Sequence, residues 1–507
     1  MASKMGPLPN NIPENEEIER KSKGPSPFLN GNNEPTFTEG TFNVQPKGGV
    51  VPKDLVGHFT RVGPNPRFDT TDASYHPFDG DGMVHCMSFS NGTVQYSKKW
   101  IRTKKFTQAE SKGFDIFPFG EISEGIFQNQ HYVHDDHGEP MGTANTNIVA
   151  HQQRAYALYE SDKPYRFNLS FDSAKNLETV GREDFAGQLH HPVAAHPKVD
   201  YRTNELMLFG YLVGDSPPTV SYSVVHPDLR IKSSLKIPIP HSVLMHDMII
   251  TENYSILCDI NFQFQAALAF QGKSPWVHVK DVPARFGIFP RHIKDVSEVV
   301  WVDVEPFGLF HFANAWEENG KIYIYGCKSE NMDVGFETKA MTRMHEWVLD
   351  IASGKCLSAR NLSDHIVDFP QVDQTRQGYK TRYLYAVEFD YGKGSEARLF
   401  PEFKSIVKYD LKLNQTTTHS PMSFDGNPVR VSESCFCPRA SRDNLDESQE
   451  DLGYIACFAH DETTNKSECL LLDARTMTPE VHLCLPERVP NGFHASWIHS
   501  KLPLSKL

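Results

Sequence analysis

Twenty-three histidines are spread along the 507 residues. Four of them stand at the ends of strand-like runs in distinctive surroundings: His196 in AAHPKVD, His246 in LMHDMIITENY, His311 in LFHFANAWEE and His494 in PNGFHASW. Imidazole is a donor that iron and zinc both accept, so histidines brought together could hold a metal ion. Their spacings of 50, 65 and 183 residues are far too wide for one helix or loop to present them side by side. If they converge, each comes from a different piece of a closed structure. Taken singly, a histidine at a strand end is more often a surface or hydrogen-bonded core residue. The other clusters read as structural. The adjacent His190 and His191 would point to opposite faces of a strand, and His134 and His137 flank Asp135 and Asp136 in what reads as a solvated loop. In HPFDGDGMVH (76–85), Gly80 and Gly82 are expected to make a tight turn beside Asp79 and Asp81. That segment lacks the Glu that an EF-hand loop needs at its twelfth position.

Short runs rich in Val, Ile, Tyr and Phe supply the pieces. RAYALYE (154–160), ELMLFGYLV (205–213), TVSYSVV (219–225), EVVWVDV (298–304) and KIYIYGC (321–327) are followed by RYLYAVEF (382–389), SIVKYDL (405–411), GYIACFAH (453–460) and ECLLLDA (468–474). Gly, Pro, Asn and Asp punctuate them, and no helical domain intervenes. Many short strands without βαβ alternation predict an all-β protein. At this length a propeller fits best, although no WD or kelch repeat fixes the blade number. Helical inserts are expected around 107–128 and 262–270. Residues 1–26, polar and rich in Pro, Asn and Glu, are expected to form a disordered tail before a single domain over 27–507.

Composition narrows the function. A formal charge of -13 argues against a nucleic-acid partner, which needs clustered Lys and Arg. No run approaches 18 consecutive apolar residues. The nine cysteines are odd in number, scattered and without a C-x-x-C pair, which fits reduced, packed thiols and not a disulfide framework or structural zinc. The first 20 residues lack an apolar signal core and carry four Glu, unlike an organelle transit peptide. A cytoplasmic location is expected, a plastid one if a transit sequence has been trimmed. The terminal Ser505-Lys506-Leu507 matches the peroxisomal import tripeptide.

The motifs around these residues resemble the carotenoid cleavage oxygenase family, its plant-type dioxygenases above all. The marks are LVGHFTRVGPNPRF (55–68), FDGDGMVH (78–85), TANTN (143–147), AHPKVD (195–200) and MHDMIITENY (245–254). ARFGIFPR (284–291), FHFANAWEE (310–318), DFPQVD (368–373), SESCFCPR (432–439) and VPNGFHASW (489–497) continue in family order. The resemblance implies a seven-bladed β-propeller with helical inserts forming a dome over an axial metal site, and it makes His196, His246, His311 and His494 the ligands of Fe(2+). Four neutral ligands leave the ion its full charge, which favours the ferrous state, and an octahedral ion keeps two positions for O2 and water. The family's three supporting carboxylates fall on Glu160, Asp368 and Glu433, which would accept the outer ring N–H of ligating histidines. Asp368 stands where much of the family has Glu, so either the backbone comes closer or the hydrogen bond lengthens. Thr146 matches a small residue near an open iron position, and Pro77 replaces a family Trp.

The activity so implied is O2-dependent cleavage of a conjugated double bond in an apolar carotenoid or apocarotenoid, giving two carbonyl products. A hydroxystilbene is the alternative substrate, for which Tyr and Lys within YSKKWIRTKK (96–105) are candidate phenol contacts. Retinoid isomerisation or a non-catalytic scaffold rank lower. FDIFPFGEISEGIF (114–127), near the cations Lys98, Lys99, Arg102, Lys104 and Lys105, is either a membrane-surface segment or a lid. The oligomeric state is not legible.

Overall fold

The computed structural model describes residues 26–500 apart from 69–74, 115–137, 335–338, 393–400, 443–445 and positions 139, 161, 173, 214, 270 and 272. The tail (all but its last residue), the HDDH run, most of the 114–127 segment and the terminal tripeptide lie outside the described residues. No helix among the described residues is long and apolar enough to cross a membrane.

Seven antiparallel sheets surround one axis, so the chain is a seven-bladed β-propeller. Blade I combines Gly40–Val44, Thr93–Trp100, Gly82–Ser90 and Gly57–Pro64 with the C-terminal strand Ala495–His499. Blades II to VI are four-stranded meanders starting at Asn147–His151, Lys198–Asp200, Met248–Ile250, Gly308–Glu318 and Val367–Gln371. Blade VII is built on Gly453–Asp461, Lys466–Asp473 and Thr478–Cys484 and takes Pro46–Gly48 from near the N-terminus as its outer strand. The ring is therefore closed twice by strands from opposite ends of the chain. The strands expected from sequence are present, for example Arg154–Leu158, Thr219–Val225 and Lys321–Ser329.

There is no single core. Separate apolar clusters join blades I–II, II–III, III–IV–V, V–VI, VI–VII and VII–I. A strand inside a blade is consequently covered on both faces, and Glu205–Tyr211 is buried at every position. Outer strands regain alternation, as Ile231–Pro238 does. This explains why the inner runs read as continuous apolar text without a repeat motif.

The first expected helical insert begins earlier than 107 and is described only as far as residue 114. Lys104–Lys112 is capped by Thr103, whose hydroxyl accepts the Phe106 N–H at 3.1 Å, and it ends at Gly113 in the left-handed region. Around 262–270 the helix is only Ala266–Ala269, because Phe262–Phe264 pairs as a strand with Trp276–His278. His190 and His191 lie in a connection, not in a strand, and His191 is buried against the Ser223 hydroxyl at 2.8 Å. Gly80 and Gly82 also serve another purpose than a tight turn. A Cβ on Gly82 would lie 2.2 Å from the Ala144 carbonyl, and Asn145 donates to the carbonyls of Phe78 and Gly80 at 2.9 and 2.8 Å. The FDGDG and TANTN motifs thus interlock, with buried Asp81 paired to Lys105 at 2.9 Å.

Candidate metal centre

His494, His196, His246 and His311 sit on blades I, III, IV and V at or near the axial start of the innermost strands. Strand polarity then turns all four imidazoles inward: one nitrogen from each lies within 4.8 Å of the others. His196 Nε2 and His246 Nε2 are 3.0 Å apart, and the His196–His494 and His311–His494 ring centroids are 4.4 and 4.7 Å apart. His311 requires an irregular strand, and the pairing with Lys321–Ser329 slips on both sides of Phe312 to present it. His494 is fixed through its main chain, its N–H donating to the Thr146 carbonyl at 3.2 Å and its carbonyl accepting the Val62 N–H at 3.1 Å.

The remaining blades supply carboxylates. Glu160 of blade II accepts from His246 Nδ1 at 3.0 Å and from the Tyr211 hydroxyl at 2.7 Å. Asp368 of blade VI lies 2.8 Å from His311 Nδ1, and Glu433 of blade VII lies 3.3 Å from His494 Nδ1. Glu433 also accepts from Gln371 Nε2 at 2.9 Å and from the Ala495 N–H. Each blade therefore contributes one of the seven residues singled out by sequence. The strand is irregular at Asp368, whose short side chain still reaches His311. A register slip follows it, Phe369 takes φ 52°, and the Phe369 N–H donates to the carboxylate at 2.8 Å.

The donor set suits a divalent cation. Burial first, then the neighbouring imidazoles, drives His196 and His311 well below their ordinary values, so they are neutral and their lone pairs free at physiological pH. Burial also opposes charge on His246, but the Glu160 carboxylate and its hydrogen bond outweigh it and raise that imidazole. Asp368 is pushed up to about 7 by burial, which its backbone hydrogen bond only partly offsets. A closed cluster of four imidazoles at ligand–ligand separation, three with Nδ1 tied to a carboxylate, leaves the Nε2 side to face an ion.

The family model described as RPE65, retinal pigment epithelial membrane protein, matches residues 33–499. The chain is 35% identical to the carotenoid 9,10(9',10')-cleavage dioxygenase of Crocus sativus over 95% of its own length and 90% of that protein's. It is also 35% identical to carotenoid 9,10(9',10')-cleavage dioxygenase 1 of Pisum sativum, over 89% and 85%. The chain belongs to the carotenoid cleavage oxygenase family. It is accordingly an oxidoreductase of the dioxygenase class. The crystal structure of the Pseudomonas brassicacearum lignostilbene dioxygenase superposes with a TM-score of 0.81, covering 94% of this chain and 99% of that one at 24% identity, a likeness of fold.

Within this carotenoid cleavage oxygenase, two surroundings meet at the histidines. Phe310 lies 5.5 Å from His246, and Phe369 lies 5.1 and 5.2 Å from His311 and His494. Phe369 continues into Phe403 and Phe389 at centroid steps of 5.2 and 5.0 Å. Along the inner strands the cluster borders a cavity of about 100 Å³ whose polar wall includes Lys198, Asp247 and Gln371. Sequence reasoning missed these polar residues and Tyr211. Lys198 and Asp247 stood inside the AHPKVD and MHDM motifs, and that adjacency was the available signal. Three of the 96–105 phenol candidates are committed elsewhere: Tyr96 to His85 at 2.8 Å, Lys98 to Thr38 at 2.8 Å and to Glu487, and Lys105 to Asp81.

Proposed function

We propose that the protein is a non-haem Fe(2+) dioxygenase that cleaves a conjugated double bond of a carotenoid or apocarotenoid into two carbonyl products. The observation that carries this reading is the ring of four imidazoles, three buried and His246 half-buried, backed by Glu160, Asp368 and Glu433. His196, His246, His311 and His494 would hold the ion, and the three carboxylates would fix ring tautomer and orientation. Iron, when bound, supplies the activation of O2 that no side chain here can provide. The chain's own contribution is to present the polyene and keep water away. Phe310 and Phe369 face the histidines with aromatic surface on which an extended apolar chain can lie, and Phe403 and Phe389 prolong that surface. The relatives named for 9,10(9',10') cleavage support a polyene substrate and that bond as the first to examine.

The test is LC-MS of products after incubating Fe(2+)-loaded protein in air with a carotenoid, an apocarotenal series and a hydroxystilbene. Paired carbonyl products from a polyene are expected, and their masses locate the cut. Aromatic aldehydes from the stilbene alone would replace the substrate assignment. No product from iron-bound protein would overturn the activity.

A further inference from the structure

Three histidines are tied by carboxylates through Nδ1, but His196 has no carboxylate partner among the described residues. Its backbone is instead bridged in parallel to Asp247, the residue after His246. Two residues beyond His196, Lys198 Nζ reaches Asp247 Oδ1 at 2.7 Å. Asp247 Oδ1 also accepts the Met248 N–H at 2.8 Å, and Oδ2 accepts the N–H of Phe312, the residue after His311, at 2.8 Å. One carboxylate, 1% exposed, therefore joins the segments that carry His196, His246 and His311 on blades III, IV and V.

We propose that Asp247, clamped by Lys198, is the positioning residue of the metal centre, doing for His196 what Glu160, Asp368 and Glu433 do for the other three. The inference rests on reading the four histidines as a metal site. A buried ion pair gives little net stability, because desolvation consumes the Coulombic gain. What it does give is geometry: a carboxylate has about four acceptor positions, and here donors from three blades occupy three of them in fixed directions. A displacement of Asp247 would move three ligands at once, whereas each of the other carboxylates steadies one.

Charge and positioning predict different signs for the two partners. By charge alone, the Asp247 anion favours a nearby cation and the Lys198 ammonium opposes it, so losing Asp247 would weaken metal binding and losing Lys198 would strengthen it. If the pair positions ligands, losing either weakens binding. The experiment is titration of metal-free protein with Co2+, followed by calorimetry and by the visible absorption of the bound ion. Wild type is compared with Asp247→Ala, Asp247→Asn, Lys198→Met and His311→Ala. Asp247→Ala and Lys198→Met should each weaken Co2+ by about 10–100-fold, the range for outer partners of metal ligands, and alter the visible band. Asp247→Asn, which keeps an oxygen for the Phe312 N–H, should fall between them and wild type. It and Lys198→Met decide the matter if the alanine variant does not fold. Tighter binding in Lys198→Met would overturn the proposal in favour of a charge effect. So would unchanged affinity and spectrum with a lowered melting temperature, which would mark a purely structural tie. If wild type binds no Co2+, or His311→Ala binds it as wild type does, the metal reading itself fails and the inference falls with it.

Discussion

Asp368 shows how one methylene is absorbed at the scale of a residue. The hydrogen bond it accepts from His311, at 2.8 Å, is shorter than the 3.3 Å bond that Glu433 accepts from His494. The short side chain reaches the ligand from an irregular stretch of strand, with Phe369 in the left-handed region beside it. The same turn sets the Phe369 ring against His311 and His494, so orienting the ligand and shaping the aromatic surface are one local event. Asp368→Asn preserves the size but loses the carboxylate, and activity should fall about 10–100-fold while part of the metal is retained. Metal content beside steady-state rate checks this, and an unchanged rate would place the support of His311 elsewhere. His311→Ala removes the imidazole itself. It should bring bound metal and turnover to background while the far-ultraviolet circular dichroism stays that of the wild type, and retained activity would sink the metal assignment.

At the scale of elements, the irregular strand Gly308–Glu318 depends on its neighbour. A Cβ on Gly326 would stand 2.8 Å from the Phe312 ring, 2.9 Å from Leu309 and 3.2 Å from the His311 carbonyl. The glycine leaves the space into which the bulges fold. Gly326→Ala should cost about 1–3 kcal/mol as overpacking and weaken metal binding by displacing His311. Denaturant unfolding and metal titration read the two effects separately, and a loss of stability with full metal affinity would show that the bulge adjusts without moving the ligand. Elements of this kind mark where the sequence stops being legible. Runs such as TVSYSVV are readable because blade packing buries nearly every position of an inner strand and favours β-branched and aromatic residues there. His196, His246, His311 and His494 are readable only jointly, through the motifs around them, since histidine at a strand end is common. Lys198 and Asp247 could be flagged only by their place inside the histidine motifs, and not as a pair: the pairing spans two blades, and nothing local distinguishes a paired charge from a solvated one. The glycines of FDGDG pointed to a turn, whereas the decisive contact is with Ala144 some 60 residues away, which no local rule contains.

At the scale of the molecule, stability comes from a closed ring of interfaces, and buried histidines are built into that ring. His58 in blade I accepts or donates at Ser88 Oγ, 2.8 Å away, beneath the stacked Phe171 ring, and His76 lies 3.2 Å from the Val334 carbonyl. Burial lowers both to about 4. In the folded protein they remain neutral down to that pH, while in the unfolded chain they take up protons near 6.5. The stability they contribute is therefore complete above about pH 6.5 and is lost progressively as the pH falls toward 4. A shift of that size corresponds to at most about 3.5 kcal/mol per group, at 1.36 kcal/mol per unit. Because each blade is held by its two neighbours, loosening blade I at His58 also releases the closing strand Ala495–His499, which pairs with the same Gly57–Pro64 strand and carries His494 into the site. Metal-free protein should accordingly lose melting temperature steadily between pH 6.5 and 4. His58→Asn, which removes one titrating group while keeping a polar partner for Ser88, should start less stable and show a shallower fall across the same window. Calorimetric scans of both proteins at half-unit intervals test this, and parallel curves would show that the acid sensitivity of the ring originates in groups other than His58.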